Sequence, residues 1–148
     1  MTLRNQHIGK EGEERAANAL RSKGVEMVEK IGTPVRIVPG RAPLWGEKVS
    51  GDHRGVLPGG VSVLAETKTI MDRNLVWSNL REHQPGRLTR HAELGGISLL
   101  VWVHSTGVYV MLWPVEGFGP RKSISPDRAS ELAIQSITPV RAPLYNIK

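Results

Sequence analysis

The sequence predicts an α/β fold, a β-sheet flanked by helices, within a single domain of residues 1–148. Apolar, β-branched runs of strand length stand at 61–70, 97–104 and 108–113. Segments with apolar residues at helical spacing precede, separate and follow these runs. Turns rich in glycine and proline separate the segments, and 148 residues are enough for one such domain.

The first predicted helix runs from Gly9 to Lys23, after an N-terminal arm of residues 1–8. Its apolar stripe consists of Ala16, Ala17 and Leu20, and Gly24 ends it. Glu13 falls on that stripe, three and four residues before the alanines. Two interpretations of Glu13 are open. It is an acid in the first turn that favours the helix dipole, or it is a carboxylate directed at a catalytic site.

A strand is predicted from Val25 to Val38, bent at Gly32 and Pro34. Residues 39–51 follow no regular pattern and contain Arg41, Trp45 and Lys48. Loops of this length in compact domains are often functional. A basic loop with an aromatic residue suits contacts with phosphates and bases. A tryptophan that caps the core or contacts a second subunit explains the pattern equally well.

The stretch from Asp52 to Ile70 predicts a β-hairpin with its turn at Pro58-Gly59-Gly60. Residues two apart in a strand project to one face, so Glu66 and Lys68 lie on the same side, about 7 Å apart. Asp52, near the start of the partner strand, approaches that side. Two carboxylates and one amine are therefore expected to converge.

This trio suits metal-dependent hydrolysis of a phosphodiester. Mg²⁺ binds through one or two carboxylates and keeps several waters, and Mn²⁺ is expected to substitute. A neighbouring lysine stabilises charge on the phosphate, or orients or deprotonates the attacking water.

Glu-x-Lys alone is a frequent pattern, and a surface strand with an ion pair is the alternative interpretation. Three features favour the catalytic interpretation. The motif ends the apolar run 61–65, only three aspartates occur in the chain and one stands at position 52, and charges at the end of a buried strand need a reason.

Residues 71–80 are predicted to be irregular. A helix then reaches about Leu94, with Pro85 in its first turn and Gly95-Gly96 after its end. Gln84 would lie at the helix N-terminus, where it either faces a phosphate or simply caps the helix. Arg87 and Arg90 add positive charge nearby.

Strands are predicted at 97–104 and 108–113, joined by a turn at 105–107, with Trp102 and Trp113 in the core. Ser125 and Pro126 begin a last helix as N-cap and first residue. Residues 137–148 are expected to form an extended tail. The strand 97–104, the loop 71–80 and this tail are candidate dimer contacts.

Composition limits the function classes. The chain has no cysteine, which excludes disulfides and thiol catalysis, and its formal net charge of +6 favours a polyanionic partner such as DNA or RNA. It has no apolar run of transmembrane length and no signal-peptide pattern, so we expect a soluble, cytoplasmic protein with no membrane partner. The five histidines form no metal-binding pattern, and no P-loop or dinucleotide fingerprint occurs.

The order of these elements resembles the PD-(D/E)xK (restriction-endonuclease-like) fold, and within it the Holliday junction resolvases of the RecU type, which are related to archaeal Hjc. The resemblance covers about residues 9–113. It rests on Gly9-x-x-Gly12-Glu13, Lys30-Ile31-Gly32-Thr33-Pro34-Val35, Asp52-x-x-Gly55, Glu66-Thr67-Lys68, His83-Gln84 before Leu88, and Gly95-Gly96. The chain departs from the family pattern in three places. The segment 39–51 is short where RecU proteins carry a longer junction-binding stalk, Gly51 stands where a proline usually precedes the aspartate, and about the last thirty residues have no counterpart.

The resemblance implies a central mixed sheet flanked by helices and a Mg²⁺-dependent endonuclease that resolves four-way DNA junctions as a homodimer. It implies Asp52, Glu66 and the carbonyl of Thr67 as metal ligands, Lys68 as the catalytic lysine, and Glu13 and Gln84 as further active-site residues. The candidate nucleic-acid-binding residues are Arg36, Arg41, Lys48, Arg54, Arg73, Arg87 and Arg90.

A bacterial or phage-infected host cell is the expected location. The alternatives are another nuclease of the superfamily, such as a repair, flap or restriction-like enzyme, and a basic DNA-binding module without catalysis.

Overall fold

The computed structural model of the chain describes residues 3–31 and 52–137. The predicted loop 39–51, the basic residues Arg36, Arg41 and Lys48, and the tail beyond residue 137 lie outside the described residues. The elements are α1 (Leu3–Ser22), β1 (Glu26–Lys30), β2 (Asp52–Leu57), β3 (Val61–Thr69), β4 (Leu75–Val76), a 3-10 turn (Trp77–Asn79), α2 (His83–Glu93), β5 (Ile97–His104), β6 (Gly107–Leu112), β7 (Ser123–Ile124) and α3 (Pro126–Leu132).

Within residues 3–31 and 52–137, the central sheet has five strands in the order β1-β2-β3-β5-β6. Neighbouring strands are antiparallel except for β3 and β5, which are parallel. A parallel pair requires a crossover, and the segment that contains α2 provides it. The predicted α/β class with a mixed central sheet flanked by helices is confirmed. A second sheet pairs β4 with β7.

The predicted hairpin is formed by β2 and β3. Their register pairs Leu57 with Val61 at the turn and Asp52 with Glu66 at the other end. Gly59 and Gly60 have φ values of +99° and +87°, which glycine adopts without a Cβ penalty. The hairpin therefore sets Asp52 directly opposite Glu66.

Each face of the sheet has its own apolar core. Odd-numbered residues of β3 and β5, such as Val63 and Leu99, pack with α1, and even-numbered residues, such as Leu64 and Leu100, pack with α2 and α3. Trp102 and Trp113 are buried on the second face, as predicted. Because side chains alternate along a strand, Glu66 and Lys68 belong to the α2 face.

The structure differs from the sequence-based predictions in three places. Helix α1 begins at Leu3, so residues 3–8 are helical where an arm was predicted. The region 71–80 contains β4 and the 3-10 turn. Strand β5 pairs on both sides and is buried from Ser98 to His104, so it is not available as a dimer contact.

Candidate active site

Asp52 and Glu66 form a cross-strand carboxylate pair at the open end of the hairpin. Directly opposed residues of an antiparallel ladder share one face, with Cβ atoms about 4.5–5.5 Å apart. Their exposed fractions are 4% and 3%. The structure thus brings together the two acids that the sequence analysis selected, and it buries both.

Lys68 and Gln84 both contact the carboxylate of Glu66. Lys68 Nζ lies 3.5 Å from Glu66 Oε1, and Gln84 Nε2 donates a hydrogen bond of 2.8 Å to the same oxygen. Gln84 Oε1 in turn accepts a 2.7 Å hydrogen bond from the backbone N–H of Arg81. The side chain of Gln84 therefore points into the site and is fixed at both ends of its amide.

Helix α2 supplies a second contact one turn later. Residues three apart on a helix lie on one side, so Arg87 follows Gln84 toward the sheet. A guanidinium nitrogen of Arg87, Nη1, is paired with Asp52 Oδ2. One helix face thus holds both carboxylates, with Gln84 on Glu66 and Arg87 on Asp52.

The ammonium group of Lys68 is destabilised by its surroundings. Burial is the main cause and the nearby guanidinium of Arg81 is the second, while the carboxylate of Asp52 acts in the opposite direction; together they lower the pKa of Lys68 to about 8. At pH 7, about one Lys68 side chain in ten is then neutral. A proton is therefore more easily lost here than from a solvated lysine.

Two acids and three cations, Lys68, Arg81 and Arg87, share this end of the sheet. Buried charges are costly even when they are paired, and replacing them by apolar groups is often neutral or stabilising. A concentration of such groups with a strongly shifted lysine pKa is typical of functional sites. The arrangement therefore marks this end of the sheet as a candidate functional site.

Glu13 lies at the same end of the sheet, on the α1 side. Its carboxylate pairs with Lys30 Nζ at 2.8 Å, and Lys30 is the register partner of His53, next to Asp52. Because α1 begins at Leu3, Glu13 is in the middle of the helix, and its interpretation as a first-turn acid is wrong. Among residues 3–31 and 52–137, no group of three or more histidine or acidic side chains converges as a metal site, so the structure does not bring Glu13 into the Asp52–Glu66 pair.

Thr67 presents its side chain to the opposite face of the sheet. Its hydroxyl lies 3.3 Å from Nδ1 of His53, and both residues are buried on the α1 side. If Thr67 is a metal ligand, it therefore binds the ion through its peptide carbonyl, as the resemblance implies.

Three of the candidate DNA-binding arginines cluster beside the carboxylates. Arg54, Arg87 and Arg90 line a cleft of about 420 Å³ between α2 and the hairpin. Arg73 is elsewhere, exposed in the connection after β3, with Asp72 at 3.9 Å. The cleft thus gathers part of the predicted basic set.

Two residues of the site were missed by the sequence analysis. Arg81 acts on Lys68 through its charge, and His91 lines the cleft. Neither belongs to a recognisable pattern. Arg81 lies before the first residue of α2, and His91 lies one helical turn after Arg87; this spacing is the only sequence signal for either residue.

Comparison of the chain with models of protein families found no match, and comparison with the curated proteins found none either. In the described part of the chain, no helix is both long enough and apolar enough to cross a membrane.

Proposed function

We propose that this protein is a metal-dependent endonuclease of the PD-(D/E)xK type that resolves four-way DNA junctions. The observation that carries the proposal is the buried pair Asp52–Glu66 with Lys68 two residues along the same strand face. This is the Asp…Glu-x-Lys arrangement that the superfamily resemblance implies. The mixed sheet, with α1 on one face and α2 on the other, is compatible with that fold.

The donor set fits a magnesium ion. Asp52 and Glu66 would hold it through carboxylate oxygens, with the carbonyl of Thr67 and water completing the coordination, because Mg²⁺ usually takes one or two carboxylates and retains waters. The described residues offer no histidine-rich set of the kind that zinc prefers. When bound, such an ion supplies Lewis-acid stabilisation of charge on a phosphate.

The chain's own residues have separate roles in this proposal. Gln84 holds the carboxylate of Glu66 in one orientation through its 2.8 Å hydrogen bond. Lys68, with its pKa lowered to about 8, stands beside the phosphate to be cleaved and either stabilises its charge or takes a proton from water. Arg87 neutralises Asp52 while no substrate is bound. When a substrate phosphate binds next to Asp52, the guanidinium of Arg87 would pair with the phosphate instead.

The proposal of a junction as substrate rests on symmetry and charge. Resolution of a four-way junction requires two symmetric nicks, and the described residues form one such site in each chain, so we propose that two chains act as a two-fold dimer. The net charge of +6 favours contacts with the phosphate backbone, which read shape more than sequence. The cytoplasm of a bacterial or phage-infected cell is the proposed location.

A cleavage assay on matched substrates tests this proposal. Labelled four-way junctions, flaps and linear duplex are incubated with the protein in Mg²⁺ or Mn²⁺. We expect paired symmetric nicks in the junction only, and loss of cleavage by orders of magnitude in Asp52→Asn, Glu66→Gln and Lys68→Ala with DNA binding retained. Equal cleavage of plain duplex would instead identify another nuclease of the superfamily.

The second candidate is a DNA-binding module without catalysis. It is favoured by one observation: the carboxylate oxygens of Asp52 and Glu66 already have cationic partners, as in a structural ion-pair network. Its signature would be a purified wild-type protein that binds DNA tightly and cuts no substrate in either metal ion.

A further inference from the structure

In the described part of the chain, the cleft beside the carboxylates is lined by three arginines and by no acidic residue. Three guanidinium groups, from Arg54, Arg87 and Arg90, surround an opening of about 420 Å³. Ser62 and His91 add polar groups, and Leu94, whose exposed fraction is 70%, forms an apolar lip. We call this feature the basic cleft. Guanidinium groups are planar donors that match phosphate oxygens in pairs, so the lining favours a phosphate.

A chain of hydrogen bonds through His91 fixes the width of the basic cleft. His91 Nδ1 lies 2.8 Å from the hydroxyl of Ser98, and that hydroxyl donates to the carbonyl of Leu88 at 2.7 Å. Nδ1 therefore carries the proton, and Nε2 accepts from the hydroxyl of Ser62 at 3.0 Å. Helix α2 is thereby tied both to β3 and to β5.

The histidine does not add a fixed charge of its own. Burial in the first place, and the charge of Arg87 in the second, lower the pKa of His91. Its ring also packs against Gly96, where any side chain would overlap it. The hydrogen bonds of His91 and its lowered pKa both favour the neutral ring, so the positive charge of the basic cleft lies on its arginine walls.

The wall charges are available to an anion. Arg90 pairs with Glu93 at 3.3 Å, but both side chains are more than half exposed, and such pairs contribute little. Arg54 forms no salt bridge with a carboxylate of the described residues, although Glu29 stands opposite it in the β1–β2 register. Arg87 belongs to both places, since it lines the basic cleft and its guanidinium also pairs with Asp52.

We infer that the basic cleft binds a backbone phosphate of a nucleic-acid strand, next to the phosphate held at Asp52 and Glu66. The inference rests on the proposed function in one respect, because it assumes that the phosphate at Asp52 and Glu66 is the one that is cleaved. A strand that crosses both places would meet Arg87 between them. The apolar lip at Leu94 suits the sugar of the same nucleotide better than a free inorganic anion.

Binding in the absence of metal tests this inference. Fluorescence anisotropy of a labelled four-way junction is measured in EDTA over a range of salt concentrations for the wild type, Arg54→Gln, Arg90→Gln and the double variant. Arg21→Gln is the matched control, because Arg21 is exposed at the end of α1 on the other face of the sheet. Inorganic phosphate and tripolyphosphate serve as competitors.

We expect each cleft variant to bind about 3–10-fold more weakly and to lose about one unit of salt slope, since one phosphate contact is removed. Arg21→Gln should match the wild type, whereas Arg54→Lys should keep the salt slope but regain only part of the affinity, because an ammonium group lacks the paired planar donors of a guanidinium. Cleft variants that lose no more than Arg21→Gln would overturn the inference. Displacement of the DNA by phosphate at equal molarity would overturn the assignment to a nucleic-acid strand.

The two proposals fail in different ways. A wild-type protein that cuts no substrate refutes the nuclease but leaves these binding measurements intact. A protein that resolves junctions, and whose cleft variants bind and cut as the wild type does, refutes the basic cleft alone.

Discussion

The surroundings of Lys68 disfavour its charged form. Its exposed fraction is 5%, and its pKa is lowered to about 8 chiefly by burial. A lysine in the unfolded chain has a pKa near 10.4, so between pH 8 and about 10.4 the unfolded state binds more protons than the folded state. The free energy of unfolding therefore rises with pH in this window.

The comparison of wild type with Lys68→Met measures this linkage. Relative to the variant, the wild type should gain about 2 kcal/mol of unfolding free energy between pH 7.5 and 9.5, because the cost of the buried ammonium is relieved. Urea unfolding at the two pH values gives the difference directly. A constant difference would mean that Lys68 titrates as a solvated lysine does.

Arg87 competes with any cation for Asp52, because its guanidinium already holds that carboxylate. In Arg87→Gln we expect Mn²⁺ to bind about tenfold more tightly, which corresponds to about 1.4 kcal/mol. Titration calorimetry or the paramagnetic resonance of free Mn²⁺ measures the dissociation constant without any cleavage.

Arg90→Gln is the control for that experiment. It removes the same charge from the same helix, but its partner is Glu93. Its affinity for Mn²⁺ should stay within about twofold of the wild type, since exposed charges are screened. Equal Mn²⁺ affinities of Arg87→Gln and Arg90→Gln would mean that Arg87 does not compete with the metal ion for Asp52.

At the scale of single residues, the site residues that lie on the hairpin could be predicted from the sequence. Asp52, Glu66 and Lys68 follow from a hairpin turn and a period of two, both of which are local. Arg81 and His91 depend on how α2 lies on the sheet. That relation between distant elements leaves no mark in the local sequence, so these two residues were not found.

At the scale of elements, the same distinction holds. The hairpin, α2, β5, β6 and the Ser125 cap of α3 were predicted close to their observed bounds. The start of α1 was not, because residues 3–8 are mostly polar and carry no apolar stripe. Strands β4 and β7 have two residues each and pair only through tertiary contact.

The packing of α1 on the sheet depends on Gly12. A Cβ at this position would overlap the side chain of Thr69, a stiff β-branched residue at the end of β3, whereas a Cβ at Gly9 would meet nothing within 4 Å. We expect Gly12→Ala to lower the unfolding free energy by about 1–2 kcal/mol, because overpacking outweighs the gain in helix propensity.

Gly9→Ala is the matched variant, with the same change one turn earlier in the helix. It should raise the unfolding free energy by about 0.5–1 kcal/mol through helix propensity alone. Chemical denaturation of both variants gives the two signs. Stabilisation by both substitutions would mean that α1 does not approach β3 closely at Gly12.

At the scale of the whole molecule, the proposed junction resolvase needs two active sites, and each chain offers one Asp52–Glu66 pair. Two-fold symmetry places identical sites on the two strands to be cut. Mixed dimers therefore separate the contribution of each subunit. They are formed by refolding tagged wild-type chains together with differently tagged Lys68→Ala chains and are purified over both tags.

The mixed dimers should nick one junction strand at about the wild-type rate per site and should release few resolved duplexes. Wild-type dimers, refolded and purified in the same way, should give paired nicks. This follows because Lys68 contacts Glu66 of its own chain, so the loss is confined to one site. A supercoiled plasmid with an extruded cruciform distinguishes the outcomes, since one nick relaxes it and two opposed nicks linearise it. Linear product at the wild-type level from mixed dimers would mean that one site cuts both strands, and the two-site arrangement would then be wrong.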